Sequence, residues 1–256
     1  MPSDDHGYRA LATSHLDAII GSGTDAYGPD HNAMWMASLD VRTGRYPEDD
    51  SRPALDTGQV YRQITAPRGS PLFTGKRVYR NIDAPRGTSL YWDQPLVVAA
   101  YRLGDLTGEG RFASAARAYT SAFLARCVAP TTGVFLWGNH YYYDAFQDVV
   151  VSFHGAEDPG PVDMATETGW LHEARPIPPA WDTFWQVDPE ATERCIRSLS
   201  RMHVVDPAEG SFNRHADGKF SHAFLEAGGI LAEALGWLYR KSADESLADL
   251  ALRVAR

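Results

Sequence analysis

The chain has 256 residues, of which 44% are hydrophobic and 11% aromatic, and this composition excludes a globally disordered protein. Its net charge of −9 argues against a nucleic-acid partner, and no apolar run reaches the roughly 20 residues that span a bilayer. The N-terminal residues show neither a basic start nor an apolar stretch, so no signal peptide is visible and the sequence alone predicts a cytoplasmic location.

Helical periodicity occurs first from Tyr8 to Ile20, where Leu11, Leu16 and Ile19 are predicted to share one apolar stripe. A helix with Pro in its first turn is predicted for residues 95–106, and a second for residues 111–128. The break between them is short, so the two helices are predicted to be antiparallel neighbours.

The C-terminal part repeats this pattern. Asp188 and Pro189 predict a helix start with an aspartate cap, and that helix should run to about His203. Another helix is predicted to open at Ser221 or His222, and a last one runs from the region of Leu247 to the end of the chain without a stop signal.

Between the helices lie long loops rich in aromatic and polar residues. Residues 61–70 recur with close similarity at 79–88, which indicates a local duplication rather than a repeat array. Nucleotide-binding glycine loops and the serine-hydrolase elbow are missing from the sequence. The sequence therefore predicts a mainly all-α fold of helical hairpins with short β segments, in a single domain over residues 1–256.

The strongest candidate for chemistry is the segment from Trp137 to Asp144, which holds Asn139, His140 and the tyrosines Tyr141, Tyr142 and Tyr143. Amide, imidazole and phenol groups can polarise a carboxylate, accept a proton and donate one. The alternative is a β-like strand whose aromatic side chains pack inward, and the residues leave both interpretations open.

Further candidates lie in other loops and are predicted to bind substrate. Arginine side chains can bind a carboxylate through two parallel hydrogen bonds, and aromatic rings can stack on the apolar face of a sugar. The set comprises Asp30, His31, Trp35, Arg80, Arg86, Tyr91, Trp92, Asp93, Trp137, Glu167, His172, Glu173, Arg175, Trp181, Arg214 and His215. For most of them a capped turn or a surface ion pair is the alternative.

The hairpins, with breaks at residues 106–109 and 241–244, resemble the (α/α) toroids of carbohydrate-active enzymes, including six-hairpin glycosidases and toroidal uronate lyases. Asn139 and His140, followed by tyrosines, are similar to the Asn/His/Tyr sites of those lyases. The resemblance implies β-elimination: Asn139 neutralises the uronate carboxylate, His140 or a tyrosine removes the C5 proton, and one of Tyr141–Tyr143 protonates the leaving oxygen.

The leading hypothesis is thus a polysaccharide lyase that acts on a uronate glycan. A glycoside hydrolase on the same scaffold is the first alternative, with Asp30, Asp93, Asp144, Glu167 and Glu173 as candidate carboxylates. A sugar epimerase or isomerase, again with histidine as acid or base, is a further enzymatic option, and a non-catalytic carbohydrate-binding toroid is the alternative of another class. No cofactor is predicted, although the candidate residues are compatible with a bound divalent cation.

The expected partner is an oligo- or polysaccharide, with no nucleic acid and no membrane. Three or four hairpins cannot close a six-hairpin ring, so the chain is predicted to be an incomplete toroid. It would be completed by a missing C-terminal half or by a homo-oligomer.

Overall fold

The structure, a computed structural model, describes residues 5–39, 43–46, 87–137, 141–152, 160–164, 177–216 and 225–256. The chain divides into two compact units. The first comprises Met1–Phe123 with Tyr141–Pro161, and the second Leu124–His140 with Val162–Arg256. The assignment of one domain to the whole chain stays a prediction.

Three helices dominate the described part of the first unit. They are α1 (Asp5–Ala18), which continues into a π-helical turn at Ile19–Gly23, α2 (Leu90–Thr107) and α3 (Gly110–Arg126). Helix α2 ends at Gly108, whose φ of 74° is left-handed and whose N–H donates to the carbonyl of Gly104 at 2.9 Å. The predicted pair of helices joined by a short break is therefore present.

The predicted start of α2 at Pro95 is wrong, because the helix begins five residues earlier, at Leu90. A proline inside a helix leaves the carbonyl four residues before it without its usual donor. Here the side-chain amide of Gln94 donates to that carbonyl, on Tyr91, at 3.0 Å. A neighbouring side chain thus replaces the missing backbone hydrogen bond.

The predicted apolar stripe of α1 is also wrong in part. Leu16 is buried, whereas the side chain of Leu11 is 69% exposed. Five residues separate the two, and at 3.6 residues per turn that spacing places them on different faces of a helix.

A four-stranded antiparallel sheet completes the described part of the first unit. Its strands are β1 (Gly87–Thr88), β2 (Tyr141–Asp144), β3 (Val149–Ser152) and β4 (Gly160–Pro161), in that spatial order. In the register, Thr88 lies opposite Tyr143 and Gly87 opposite Asp144. The sheet therefore joins the segment before α2 to the tyrosine-rich segment.

Over its described ranges, the second unit contains four helices and one two-stranded sheet. These are α4 (Trp181–Val187), α5 (Pro189–His203), β5 (Val204–Asp206), β6 (Ser211–Phe212), α6 (Leu225–Ser242) and α7 (Glu245–Val254). Asp188 caps α5 as predicted, accepting a hydrogen bond from the N–H of Ala191 at 2.9 Å. The last helix ends at Val254 rather than at the last residue.

Each unit has a core rich in aromatic side chains. Buried residues include Trp35, Tyr91, Phe112 and Tyr119 in the first unit, and Phe135, Trp181, Phe184, Ile196 and Leu238 in the second. Cys127 and Cys195 are buried. The mainly-α class is confirmed, while the closure of the hairpins into a ring stays a prediction. None of the helices in the described ranges combines the length and the hydrophobicity of a membrane-spanning segment.

Candidate functional site

The three predicted catalytic tyrosines form most of β2. Tyr141, Tyr142 and Tyr143 are only 1–4% exposed, and β2 lies between β1 and β3. The Tyr143 hydroxyl donates to Oδ1 of Asp148 at 3.1 Å. Asn139 and His140 lie outside the described residues, so the roles assigned to this segment remain predictions.

A second group of candidates lies where β1 leads into α2. Asp93, in the first turn of α2, accepts a hydrogen bond at Oδ2 from the hydroxyl of Tyr119 on α3, at 2.6 Å. The same hydroxyl is hydrogen-bonded to Oγ1 of Thr88 in β1. The ring of Trp35 packs on that of Tyr119, with 5.0 Å between ring centres. Three separate elements therefore converge on one phenol oxygen.

The carboxyl group of Asp93 holds its proton unusually well. Burial raises its pKa from the ordinary value of 3.8 to about 7, against the opposing effect of the Tyr119 hydrogen bond. Beside it, Oγ of Ser89 and Nε1 of Trp92 are buried without a hydrogen-bond partner in the described part of the chain. Such a concentration of perturbed and unsatisfied polar groups is typical of a functional site.

The sequence analysis identified Tyr91, Trp92 and Asp93 but missed Thr88, Ser89 and Tyr119. Tyr119 lies on the buried stripe of α3 with Phe112, Ala116 and Phe123, so helical periodicity by itself indicates only a core residue. Its hydroxyl meets a carboxyl group 26 residues away in sequence. No local sequence signal marks that pairing.

The predicted loop residues Asp30, His31 and Trp35 differ in their exposure to solvent. Asp30 and His31 are exposed, whereas Trp35 is 2% exposed. The N–H of Asp30 donates to Oδ2 of Asp148 at 3.0 Å, so the β2–β3 turn holds this loop.

A buried carboxylate organises the same loop. Asp25 accepts hydrogen bonds from the N–H of Tyr27 at 3.0 Å and from the Asn32 amide at 2.6 Å. Burial raises its pKa, and these two hydrogen bonds partly offset that effect. The Tyr27 ring stacks on Phe146 at 4.7 Å. Asp25 and Asp148 thus fix the backbone of the loop that carries the predicted residues.

In the second unit, Trp137 and Trp181 belong to a cluster of aromatic rings. Trp137 is 8% and Trp181 2% exposed, and both rings contact that of Phe184. Nε1 of Trp181 donates to Oε2 of Glu233 at 3.1 Å. Both side chains contribute to the core of this unit, and a role in stacking on a sugar stays a prediction for them.

The structure shows few contacts for the remaining candidates. His215 is exposed, and its N–H donates to Oδ1 of Asn213 at 3.2 Å, next to Arg214. Six predicted substrate-binding residues lie outside the described ranges: Arg80, Arg86, Glu167, His172, Glu173 and Arg175.

The described side chains offer no ligand set for a metal. Within the described ranges, no group of three or more His, Cys, Asp or Glu side chains could hold a metal ion. Residues of suitable type, including His140, Glu167, His172 and Glu173, lie outside those ranges. The described residues therefore supply no metal site by themselves.

The chain is similar to one known protein family over much of its length. Residues 92–227, slightly more than half of the chain, match the model of a protein family described as periplasmic pectate lyase. The matched range includes Asp93, Tyr119 and the whole tyrosine segment. No curated protein matches the chain.

Proposed function

The chain belongs to the periplasmic pectate lyase family, and from that premise we propose that its substrate is pectate, a polymer of galacturonate. The observation that carries this proposal is the family match over residues 92–227. The enzyme is a polysaccharide lyase that acts on a uronate glycan, as the sequence analysis predicted.

The family also corrects one expectation. Its members are described as periplasmic, which contradicts the cytoplasmic location read from the N-terminal residues. The prediction was wrong because it depended on the absence of a recognisable signal peptide, whereas the family description gives positive information on location.

The hydrolase alternative loses support from one of its own carboxylates. Asp144 is 2% exposed, and its Oδ1 accepts hydrogen bonds from the N–H groups of Phe146 and Gln147 at 2.9 and 3.0 Å. Its Oδ2 accepts from the side chain of Gln147 at 3.2 Å. Because all three hydrogen bonds use its oxygens as acceptors, Asp144 is poorly suited to be the proton donor that a hydrolase needs.

The proposed reaction is a β-elimination. The C5 proton of a uronate is weakly acidic, and neutralising the adjacent carboxylate stabilises the anion that forms when the proton leaves. We assign that neutralisation to Asn139 with Arg80 or Arg86. His140 accepts the proton, and one of Tyr141–Tyr143 donates a proton to the glycosidic oxygen as its bond to C4 breaks.

The proposal also includes stimulation by a divalent cation. Uronate carboxylates are hard oxygen ligands of the kind that Ca²⁺ and Mg²⁺ prefer, so a cation can be shared between substrate and protein. Assays after EDTA treatment, followed by separate addition of Ca²⁺, Mg²⁺ and Mn²⁺, test this part. Activity that is unchanged by EDTA would remove the cation from the proposal.

The function is tested by mixing the purified chain with polygalacturonate, alginate and glycosaminoglycans and following the ultraviolet absorbance of the unsaturated product. We expect the signal to rise with polygalacturonate. A signal with another uronate glycan only would replace pectate as the substrate. Release of reducing sugar without any unsaturated product would contradict the lyase assignment.

A further inference from the structure

Thr88, Tyr119 and Asp93 form a continuous chain of hydrogen-bonded oxygen atoms across three elements. The Tyr119 hydroxyl is the central member, bonded to Oγ1 of Thr88 in β1 and to Oδ2 of Asp93 in α2. Thr88 is 3% exposed and Tyr119 is fully buried. Solvent therefore does not compete for these two hydroxyl groups.

Because each hydroxyl group can both donate and accept, the hydrogen bonds from Thr88 through Tyr119 to Asp93 can point in either direction. When Asp93 is ionised, Tyr119 donates to the carboxylate and Thr88 donates to Tyr119. When Asp93 takes a proton from solvent, its own O–H can donate to Tyr119, whose hydroxyl then turns to donate to Thr88. Both states keep two hydrogen bonds, and only the position of the hydrogens changes.

Tyr119 dominates the surroundings of the Asp93 carboxyl. In the described residues, Tyr119 from α3 is its hydrogen-bond partner and Thr88 from β1 lies one bond further. The pKa of Asp93 is set by burial and by the Tyr119 hydrogen bond. Since that pKa is about 7, a change between the two hydrogen-bond directions falls near neutral pH.

The chain of oxygens ends next to the tyrosine strand. Thr88 is the residue directly opposite Tyr143 in the β1–β2 pair, so the two side chains lie on the same face of the sheet. Tyr143 in turn donates to Asp148 in the turn that follows β2. A change at Thr88 therefore occurs beside the strand that carries the proposed proton donors.

We propose that Thr88, Tyr119 and Asp93 are a positioning network for β2 in the lyase reaction, and that its hydrogen bonds reverse direction when Asp93 changes protonation state. The activity part of this proposal rests on the proposed function. The reversal itself does not, because it belongs to the unliganded protein.

The first experiment is independent of activity. The carboxyl carbons of ¹³C-labelled aspartate are followed by NMR between pH 4 and 9 in the wild type, Asp93→Asn and Tyr119→Phe. We expect one resonance that titrates near pH 7 in the wild type, is missing in Asp93→Asn and is displaced in Tyr119→Phe. A wild type without such a resonance, or one that Asp93→Asn retains, would overturn the reversal.

The second experiment measures kcat and KM on polygalacturonate over the same pH range. We expect the kcat–pH profile of the wild type to contain an ionisation near pH 7 in addition to that of the general base His140. Asp93→Asn should remove this additional ionisation while KM stays within about twofold. Thr88→Val should lower kcat by roughly threefold to tenfold, the effect of one lost hydrogen bond. Thr88→Ser retains the hydroxyl and should restore most of it.

Controls separate positioning from general damage. Asp105→Asn changes an exposed aspartate on the same helix α2, and its pH profile should match the wild type. Unfolding temperatures identify any variant that fails to fold. In that case the kcat of Thr88→Ser is compared with that of the wild type. A pH profile of Asp93→Asn identical to that of the wild type would overturn the positioning role. If no uronate glycan is cleaved at all, the proposed function fails while the NMR result still decides the reversal.

Discussion

The carbonyl group of Tyr143 lies against Gly87 so closely that no Cβ atom fits at position 87. The nearest atoms to such a Cβ would all belong to the backbone of β2, including Cα of Asp144 at 3.1 Å. Backbone atoms cannot turn aside as the end of a flexible side chain can. Glycine at this position is therefore a condition for the pairing of β1 with β2.

Replacing Gly87 with Ala should separate β1 from β2. Because the added methyl group overlaps backbone, we expect a loss of about 1–3 kcal/mol or more in the free energy of unfolding. Urea denaturation measures the loss, and amide exchange should rise in β1 and β2. Gly110→Ala is the matched control, since nothing lies within 4 Å of a Cβ there. Equal stability of both variants would contradict the close approach.

Asp148 should hold the loop of residues 25–37 to the β2–β3 turn. Its carboxylate accepts from the N–H of Asp30 and from the hydroxyl of Tyr143, and its φ of 54° is left-handed. Asp148→Ala loses both hydrogen bonds and should cost roughly 1–3 kcal/mol. Asp148→Asn keeps one acceptor oxygen and tolerates this backbone conformation, so its cost should be smaller.

Hydrogen exchange read by mass spectrometry checks this relationship. We expect faster exchange in residues 25–37 of Asp148→Ala, with α2 unchanged. Ala26→Ser, which changes an exposed alanine in the same loop, should leave the exchange as in the wild type. Unchanged exchange in Asp148→Ala would show that the carboxylate does not anchor the loop.

Asp93 should make the folded protein less stable as pH rises. In the folded state its pKa is about 7, whereas in the unfolded chain it is near 3.8. Between these values the folded state binds the extra proton, so the contribution of Asp93 to stability is lost as pH rises from about 4 to about 7 and is constant above that.

Asp93→Asn has no carboxyl group to ionise and should lose less stability over that range. Thermal unfolding at pH 5 and pH 8 measures the difference, and the unfolding temperature of the wild type should fall relative to that of the variant. Asp105→Asn should follow the wild type. Parallel curves for the wild type and Asp93→Asn would mean that Asp93 is ionised throughout.

His140→Ala tests the proposed proton acceptor. Removal of a general base lowers the rate by roughly 10²–10⁴-fold, so we expect kcat on polygalacturonate to fall by at least about 100-fold with an unchanged unfolding temperature. His15→Ala, at an exposed position of α1 that belongs to no candidate site, is the control and should retain full activity. Full activity of His140→Ala would remove His140 from the mechanism.

Much of the fold could be predicted because its signals are local. Asp188 and Pro189 specify a helix start through one side-chain hydrogen bond and one fixed backbone angle, and the structure has both. Leu247 and Val254 are seven residues apart on α7, a spacing that places them on one face of a helix, and both side chains are buried. Prediction failed at Pro95, because the compensating hydrogen bond comes from the side chain of Gln94.

The order of the residues alone indicates the helical class, the tyrosine-rich segment and the uronate lyase chemistry that the family match supports. The contact of Asp93 with Tyr119 and the pairing of Thr88 with Tyr143 join residues far apart in the sequence, so they arise only when the chain folds. The pKa of Asp93 in turn depends on burial and on one hydroxyl group from a different helix. Neither the burial nor this hydroxyl group follows from the residues next to Asp93. The Asp93 carboxyl group, which has no unusual sequence neighbours, therefore keeps its proton to about pH 7 in the folded protein.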